Sequence, residues 1–323
     1  MHMNSDISTR FQDFFRSLDY KRTPLPLYLP VEYTLDGGGK RLRPQLLILS
    51  YLLYKDNPED VFNVAAGMEI FHNFTLLHDD VMDNADVRRS KPTVHKKWNN
   101  NVAILSGDAM QILAYRYIAL APSEFSKEIL DIASETFLQI IEGQQYDMDF
   151  ESRNDVSPEE YMEMIRLKTS VLLAACMKMG GLMGGASRKD CDILYNIGIN
   201  AGLAFQLQDD LLDVYGNPDT FGKQIGGDIC CNKKTYMYIN ARRKATPQML
   251  AQLDGWEEWK GDKKLKIQAV TEIYDSLGIK EICKQKSDAL FTRALSLFDE
   301  LDVPSDRKDP LKQFVVSMIN REK

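Results

Sequence analysis

Two five-residue clusters, Asp79-Asp80-Val81-Met82-Asp83 and Asp209-Asp210-Leu211-Leu212-Asp213, repeat one acidic pattern. Each puts a carboxylate at its first and fifth positions. On a helix those two side chains project from one face, one turn apart. Like charges at that spacing repel and destabilise the helix unless a cation lies between them. A hard divalent ion such as Mg²⁺ takes carboxylate and phosphate oxygens together. Two such helices facing each other would form a cage for a magnesium-bound diphosphate.

The elements that carry these clusters read as buried helices. Before and through the first cluster, His72, Thr75, Asp79 and Asp83 fall at i, i+3, i+7 and i+11, one narrow polar stripe. Ala65, Ala66, Met68, Ile70, Phe71, Phe74, Leu76, Leu77, Val81 and Met82 cover the other sides. The second cluster repeats the design with Gln206, Asp209 or Asp210, and Asp213, among Ala204, Phe205, Leu207, Leu211, Leu212 and Val214. A buried carboxylate is costly unless paired or metal-bound. A single cluster could mark a solvated helix end; two in equally apolar helices argue for a site.

Cations stand near both clusters. Gly37-Gly38-Gly39-Lys40-Arg41-Leu42-Arg43-Pro44 is a glycine turn followed by three cations. Its backbone N–H groups and arginine forks suit a phosphate; taken alone it also reads as a flexible loop before a helix. Arg88 and Arg89 follow the first cluster and would either salt-bridge its aspartates or neutralise a diphosphate. Lys168-Thr169 lies inside an apolar helix, where a lysine either snorkels to solvent or meets an anion. Gly222-Lys223, Gly226-Gly227-Asp228 and Lys233-Lys234-Thr235 follow the second cluster. Gln144 and Asp147 share a helix face, as a buried pair or as part of a site.

The whole chain fits this picture. Its 323 residues are 44% apolar and 27% charged, ordinary for a globular protein with a large core. A net charge of −7 argues against a general nucleic-acid surface. The five cysteines are odd in number, show no metal-ligand spacing and include the adjacent pair Cys230-Cys231, which points to free thiols in a reducing compartment. The first residues lack a signal-peptide pattern, and no apolar run has the length of a membrane span; a cytoplasmic location is expected. Helical periodicity predicts helices near 5–18, 40–55, 60–84, 102–120, 124–148, 158–180, 187–215, 232–244, 263–278, 280–301 and 308–321, with Gly and Pro between them. No strand alternation and no linker are visible. The expectation is one all-α domain over residues 1–323.

The set from Gly38-Gly39-Lys40-Arg41-Leu42-Arg43-Pro44 through His72, the first acidic cluster, Arg88-Arg89, Lys168-Thr169 and Phe205–Asp213 to Gly222-Lys223 resembles the trans-isoprenyl diphosphate synthase (polyprenyl synthetase) family. The order and spacing agree from about Gly37 to Lys234. The resemblance implies an isoprenoid-synthase helical bundle with a central cavity, usually a homodimer, acting on isopentenyl diphosphate and allylic prenyl diphosphates. It implies that Lys40, Arg43, His72 and Arg89 bind isopentenyl diphosphate. Asp79 and Asp83 would hold two Mg²⁺ on the allylic diphosphate and Asp209 a third, supported by Asp80, Asp210 and Asp213. Arg88, Lys168 and Lys223 would contact the allylic diphosphate, and Thr169 and Gln206 would line the place where the allylic cation forms.

In this family the residues before the first cluster commonly form the floor of the chain pocket. Bulky Phe74 and small Thr75 most resemble synthases making the C20 product, geranylgeranyl diphosphate, with C15 farnesyl diphosphate next. Two other readings remain at this point. A class I terpene cyclase would not need the Lys40, Arg43 and His72 set, and its second motif typically mixes other residues. A non-catalytic partner subunit would be expected to have lost a motif, and none is lost.

Overall fold

The computed structural model describes residues 3–20, 22–217 and 225–319. Long helices dominate. They are α1 (Met3–Ser17), α2 (Leu25–Leu35), α3 (Leu42–Tyr51), α4 (Phe62–Met82), a short α5 (Val94–Lys97), α6 (Asn100–Ile118), α7 (Ser126–Glu151), α8 (Pro158–Ile165), α9 (Val171–Gly184) and α10 (Arg188–Tyr215). After these come a short α11 (Gly227–Cys230), α12 (Tyr236–Lys244), α13 (Pro247–Glu257), α14 (Lys263–Ser276), α15 (Ile279–Leu297) and α16 (Ser305–Ile319). Among the described residues the only strands are β1 (Val87–Arg88) and β2 (Lys91–Pro92), paired antiparallel with Val87 opposite Pro92. The all-α expectation holds. All five cysteines are free thiols.

By Cα proximity the chain divides into two compact units. The first comprises Met1–Glu135, Ala175–Leu194 and Asp302–Leu311. The second comprises Thr136–Ala174, Tyr195–Leu301 and Lys312–Lys323.

In the first unit α4 is the central rod. It is apolar on nearly every side, and Val64, Ala65, Met68, Ile70 and Phe71 are all buried. Its main packing partner is α6, with α3 on another side. Asp83 closes the helix, its N–H bonding the Asp79 carbonyl at 2.8 Å, and Asn84 in the left-handed region (φ 51°) turns the chain away. The hairpin that follows turns through Arg89 and Ser90, both at positive φ (51° and 60°), as a two-residue turn between twisted strands requires. No period-2 pattern announces so short a ladder.

In the second unit the latter half of α10 is the rod. Leu207, Leu211 and Val214 pack with Tyr161, Met237, Tyr274, Ile279 and Cys283. α8 starts with a full capping box: the Glu160 N–H donates to Ser157 Oγ at 3.1 Å, and the Ser157 N–H donates to Glu160 Oε2 at 2.8 Å. Pro158 sits in the first turn, where its missing N–H costs nothing. Between α8 and α9, residues Arg166–Ser170 form a single π turn.

Two glycines on α10 fix how closely it lies on that turn and on the start of α9. A Cβ on Gly202 would stand 2.7 Å from Ser170 Cα, and one on Gly198 2.4 Å from Ala174 Cα. Gly198→Ala should therefore force the two backbones apart and lower the unfolding free energy by about 1–3 kcal/mol, as overpacking does. Chemical denaturation reads this directly; an unchanged midpoint would mean that the crossing is looser than described.

Candidate active site

The first unit gathers one group of predicted residues around α4. Asp79 and Asp83 sit one turn apart at its end, Asp79 half-buried and Asp83 exposed. Asp80 is buried and accepts from Arg88 Nε at 2.7 Å, while Arg88 Nη2 reaches Asp79 Oδ2 at 3.4 Å. Burial pushes the Asp80 carboxyl above its ordinary range, and Arg88 opposes that rise. Asp79 and Asp83 thus fit a hard cation. They are oxygen donors at helix spacing with access to solvent, and such an ion completes its shell with phosphate and water.

Two basic loops are tied onto the same helix. Gly38 and Gly39 adopt φ of 75° and 127°, and Arg41 is left-handed at 49°. Arg89 Nη1 donates to the Gly38 carbonyl, and a Cβ on Gly39 would lie 3.1 Å from the Arg89 guanidinium carbon. Arg41 donates to Glu69 Oε1 and to the Leu35 carbonyl, both at 2.6 Å, and lies over the Phe15 ring at 4.7 Å. Asn73 joins the two: its Nδ2 donates to Glu69 Oε1 at 3.0 Å, and its Oδ1 accepts from Arg89 Nη1 at 3.4 Å. Glu69 and Arg41 make a nearly buried ion pair, with side-chain exposures of 2% and 9%.

His72 stands amid this charge. Burial first, then Arg43, Arg89, Arg88 and Arg41, hold its imidazole well below the ordinary pKa of 6.5. The ring is neutral at pH 7 and able to donate a neutral hydrogen bond, while four guanidiniums supply the charge for an anion. Sequence reasoning named Lys40, Arg43, His72, Arg88 and Arg89. Arg41 was read only as one of the three cations after the glycine turn, and Glu69 and Asn73 were passed over, although polar residues at i and i+4 in an apolar helix were a usable signal.

The second unit gathers the other group. The π turn carries Lys168 and Thr169; such turns widen a helix locally and recur at functional sites. Gly143 on α7 lets the turn come close, since a Cβ there would stand 2.4 Å from Lys168 N. One turn on, Asp147 Oδ2 meets Lys168 Nζ at 2.6 Å. Thr169 Oγ1 donates to Gln206 Oε1 at 3.2 Å, and Gln206 Nε2 donates to Asp210 Oδ1 at 3.1 Å. Asp210 is buried and also accepts from Tyr161 Oη at 2.5 Å. Its carboxyl is pushed up to about 8, first by burial and next by Asp228, with Tyr161 and Gln206 opposing.

Asp209 is half-buried beside it, and Asp213 Oδ2 accepts from the Asp228 N–H at 3.0 Å. Thr169, Gln206 and Asp210 thus form one hydrogen-bonded chain. Tyr161 was missed, because a tyrosine at a core position carries no sequence signal of its own. Of the lysine pair, Lys234 is buried against Asn154, Tyr238 and Glu257, while Lys233 is exposed. Lys223 lies outside the described residues.

An all-helical protein with two aspartate clusters at helix spacing, each accompanied by cations, belongs to the enzymes that act on prenyl diphosphates. The Polyprenyl synthetase family model matches residues 25–277, and the chain is a member of that family. It is 40% identical over 263 residues to a short chain isoprenyl diphosphate synthase of Methanothermobacter thermautotrophicus, covering 80% of this chain and 79% of that one. It is 43% identical to a geranylgeranyl diphosphate synthase of Methanosarcina mazei, covering 68% and 69%. A crystal structure of a geranylgeranyl pyrophosphate synthase superposes with a TM-score of 0.94 at 40% identity over 100% of both chains. The protein is a prenyltransferase of isoprenoid synthesis.

The depressed His72 has a pH signature. The unfolded chain takes up the proton more readily, so folded-state stability falls as pH drops from about 6.5 toward the depressed value. Buried His95, also held below its ordinary value, adds in the same direction. His72→Gln should flatten part of that slope in denaturation curves measured from pH 7.5 to pH 5. Saturating pyrophosphate should move the His72 titration upward in NMR spectra; an unmoved titration would place the anion elsewhere.

Proposed function

We propose that this prenyltransferase condenses isopentenyl diphosphate with allylic diphosphates and releases a C20 product, geranylgeranyl diphosphate. The observation that carries the substrate reading is the neutral His72 held among Arg41, Arg43, Arg88 and Arg89, beside the Asp79–Asp83 turn. A neutral donor among guanidiniums, two of them already balanced by carboxylates, suits a phosphate anion.

In this reading Lys40, Arg43, His72 and Arg89 bind isopentenyl diphosphate. Arg88, Lys168 and Lys223 contact the allylic diphosphate, and Asp79, Asp83 and Asp209 are the magnesium ligands. Bound Mg²⁺ would neutralise the charge that develops on the departing pyrophosphate. The chain's own part begins with Arg88 and Lys168, whose charges would act on the leaving group. The C–O bond breaks with its electron pair on pyrophosphate. The allylic cation left behind meets the oxygen dipoles of Thr169 and Gln206, held to each other and to Asp210. They offer partial negative charge without a strong nucleophile. The isopentenyl double bond attacks the cation, and a proton leaves to the pyrophosphate. The new allylic diphosphate is longer by five carbons.

The relatives named geranylgeranyl diphosphate synthase and the residue at position 74 support the C20 product; other relatives are named geranylfarnesyl diphosphate synthase. Phe74 is 7% exposed, its ring 5.3 Å from that of Phe71 and 4.7 Å from that of His78. Thr75 turns its hydroxyl to the His72 carbonyl at 2.8 Å and presents a small side chain. A homodimer is part of the same proposal. Ile104, Leu105 and Ile112 of α6 are 44%, 59% and 63% exposed, an apolar face suited to a second copy. A cytoplasmic site of action accords with the free thiols; among the described residues no helix is long and apolar enough to cross a membrane.

Incubation with Mg²⁺, labelled isopentenyl diphosphate and C5, C10 or C15 allylic diphosphates tests the reading. Elongation that stops at C20 is expected. Chelation of the metal or Asp79→Asn should cut turnover by about 10²-fold or more, the scale for losing one electrostatic stabiliser. No elongation from any starter by folded protein would overturn the proposal. Phe74→Ala should lengthen the product; an unchanged distribution would remove Phe74 as the floor.

A further inference from the structure

We infer that His78 and Gly107 are specificity-determining residues that act through Phe74: they fix where its ring stands and so where chain growth stops. This deepens, and rests on, the reading of Phe74 as the pocket floor.

Phe74 and His78 are four residues apart on α4 and share a face. Their rings meet edge to face, 4.7 Å between centroids and 65° between planes. His78 is itself pinned. Its Nε2 lies 3.1 Å from the Ile104 carbonyl, so the contact is a hydrogen bond when Nε2 carries the proton. The ring fits a notch at Gly107, where a Cβ would lie 2.1 Å from His78 Nε2 and 2.5 Å from Cδ2. No side chain fits there without moving the ring. Phe71 lies against Phe74 at 5.3 Å. The Phe74 ring is thus supported by Phe71 from its own helix and by a histidine keyed into α6.

An aromatic floor stops a growing chain only if it cannot swing aside. Edge-to-face packing of this kind adds to burial and favours one rotamer over its neighbours. Removing the His78 ring leaves Phe74 in position but free to turn. An added Cβ at position 107 expels the ring from its notch with the same result. Product length is then a property of the α4–α6 pair as well as of the residue at position 74.

The test compares product distributions of wild type, F74A, H78A, G107A and the F74A/H78A double variant. Each uses Mg²⁺, isopentenyl diphosphate and a C15 starter. Ratios of chain lengths are read rather than rates, because His78 adjoins Asp79 and turnover will fall for other reasons. The expected result is that F74A makes a longer major product. H78A and G107A should shift a clear fraction in the same direction, and the double variant should match F74A. Such non-additivity is the mark of one residue acting through another. H78Q, which keeps an N–H for the Ile104 carbonyl but no ring, serves if H78A does not fold, and should also lengthen the product. Wild-type ratios in H78A, or in H78Q when H78A is unfolded, alongside a lengthened F74A product overturn the inference and leave the floor intact. A double variant longer than F74A also overturns it, since the two residues would then act separately. An unchanged F74A product removes the floor and the inference together.

Discussion

A carboxylate set into an apolar helix must find a partner, and much of this structure follows from that constraint. On α4 the buried Asp80 takes Arg88, and the buried Glu69 takes Arg41 and Asn73. On α10 the buried Asp210 takes Tyr161 and Gln206. In each acidic cluster the middle aspartate is the buried one, while its neighbours Asp79, Asp83, Asp209 and Asp213 retain some exposure. The design separates two duties within five residues. One carboxylate anchors neighbouring side chains, and the flanking ones stay accessible to a cation.

The anchoring carboxylates also decide which loops can move. Glu69 and Asn73 lie on the most buried rod of the first unit. Through them the glycine turn and the Arg88–Arg89 hairpin are tied to a rigid element, the kind of support that positions a site well. In the second unit small residues do comparable work. Gly143 and Gly202 bring α7 and α10 within backbone distance of the π turn. The next side chains along those helices, Asp147 and Gln206, then reach Lys168 and Thr169.

Helix type and the acidic and basic residues were legible in the sequence because each has a strong local signature. The long helices show their 3.6-residue period, and aspartate pairs in apolar surroundings are rare enough to stand out. Other elements were not legible. α2 was missed because Pro24, Pro26 and Pro30 read as breaks, yet Pro30 sits inside the helix and is buried. α13 was missed because Gly255 and its polar neighbours blur the period, although Thr246 caps it properly, accepting from the Met249 N–H at 3.3 Å. The π turn adds one residue to a helical turn and leaves composition unchanged. Tyr161 belongs to the site only through its contact with Asp210, far away in sequence. Periodicity cannot report such contacts.

The charges of the first unit point to how binding is driven. Arg41 and Arg88 each have a carboxylate partner, and Arg89 meets the neutral acceptors of Gly38 and Asn73. Burial first, and then these guanidiniums, hold His72 below its ordinary value; burial also lowers Arg89, with Glu69 opposing. The potential at His72 is therefore positive even with these ion pairs made. On the proposed reading, a polyphosphate bound there would meet cations already in place, and little side-chain ordering would remain to be done. Burial together with these guanidiniums keeps His72 neutral, so it offers a donor without adding to the repulsion. In that proposal, affinity for the diphosphate end of the substrate is set by fixed charge, and the apolar end is left to be discriminated by shape.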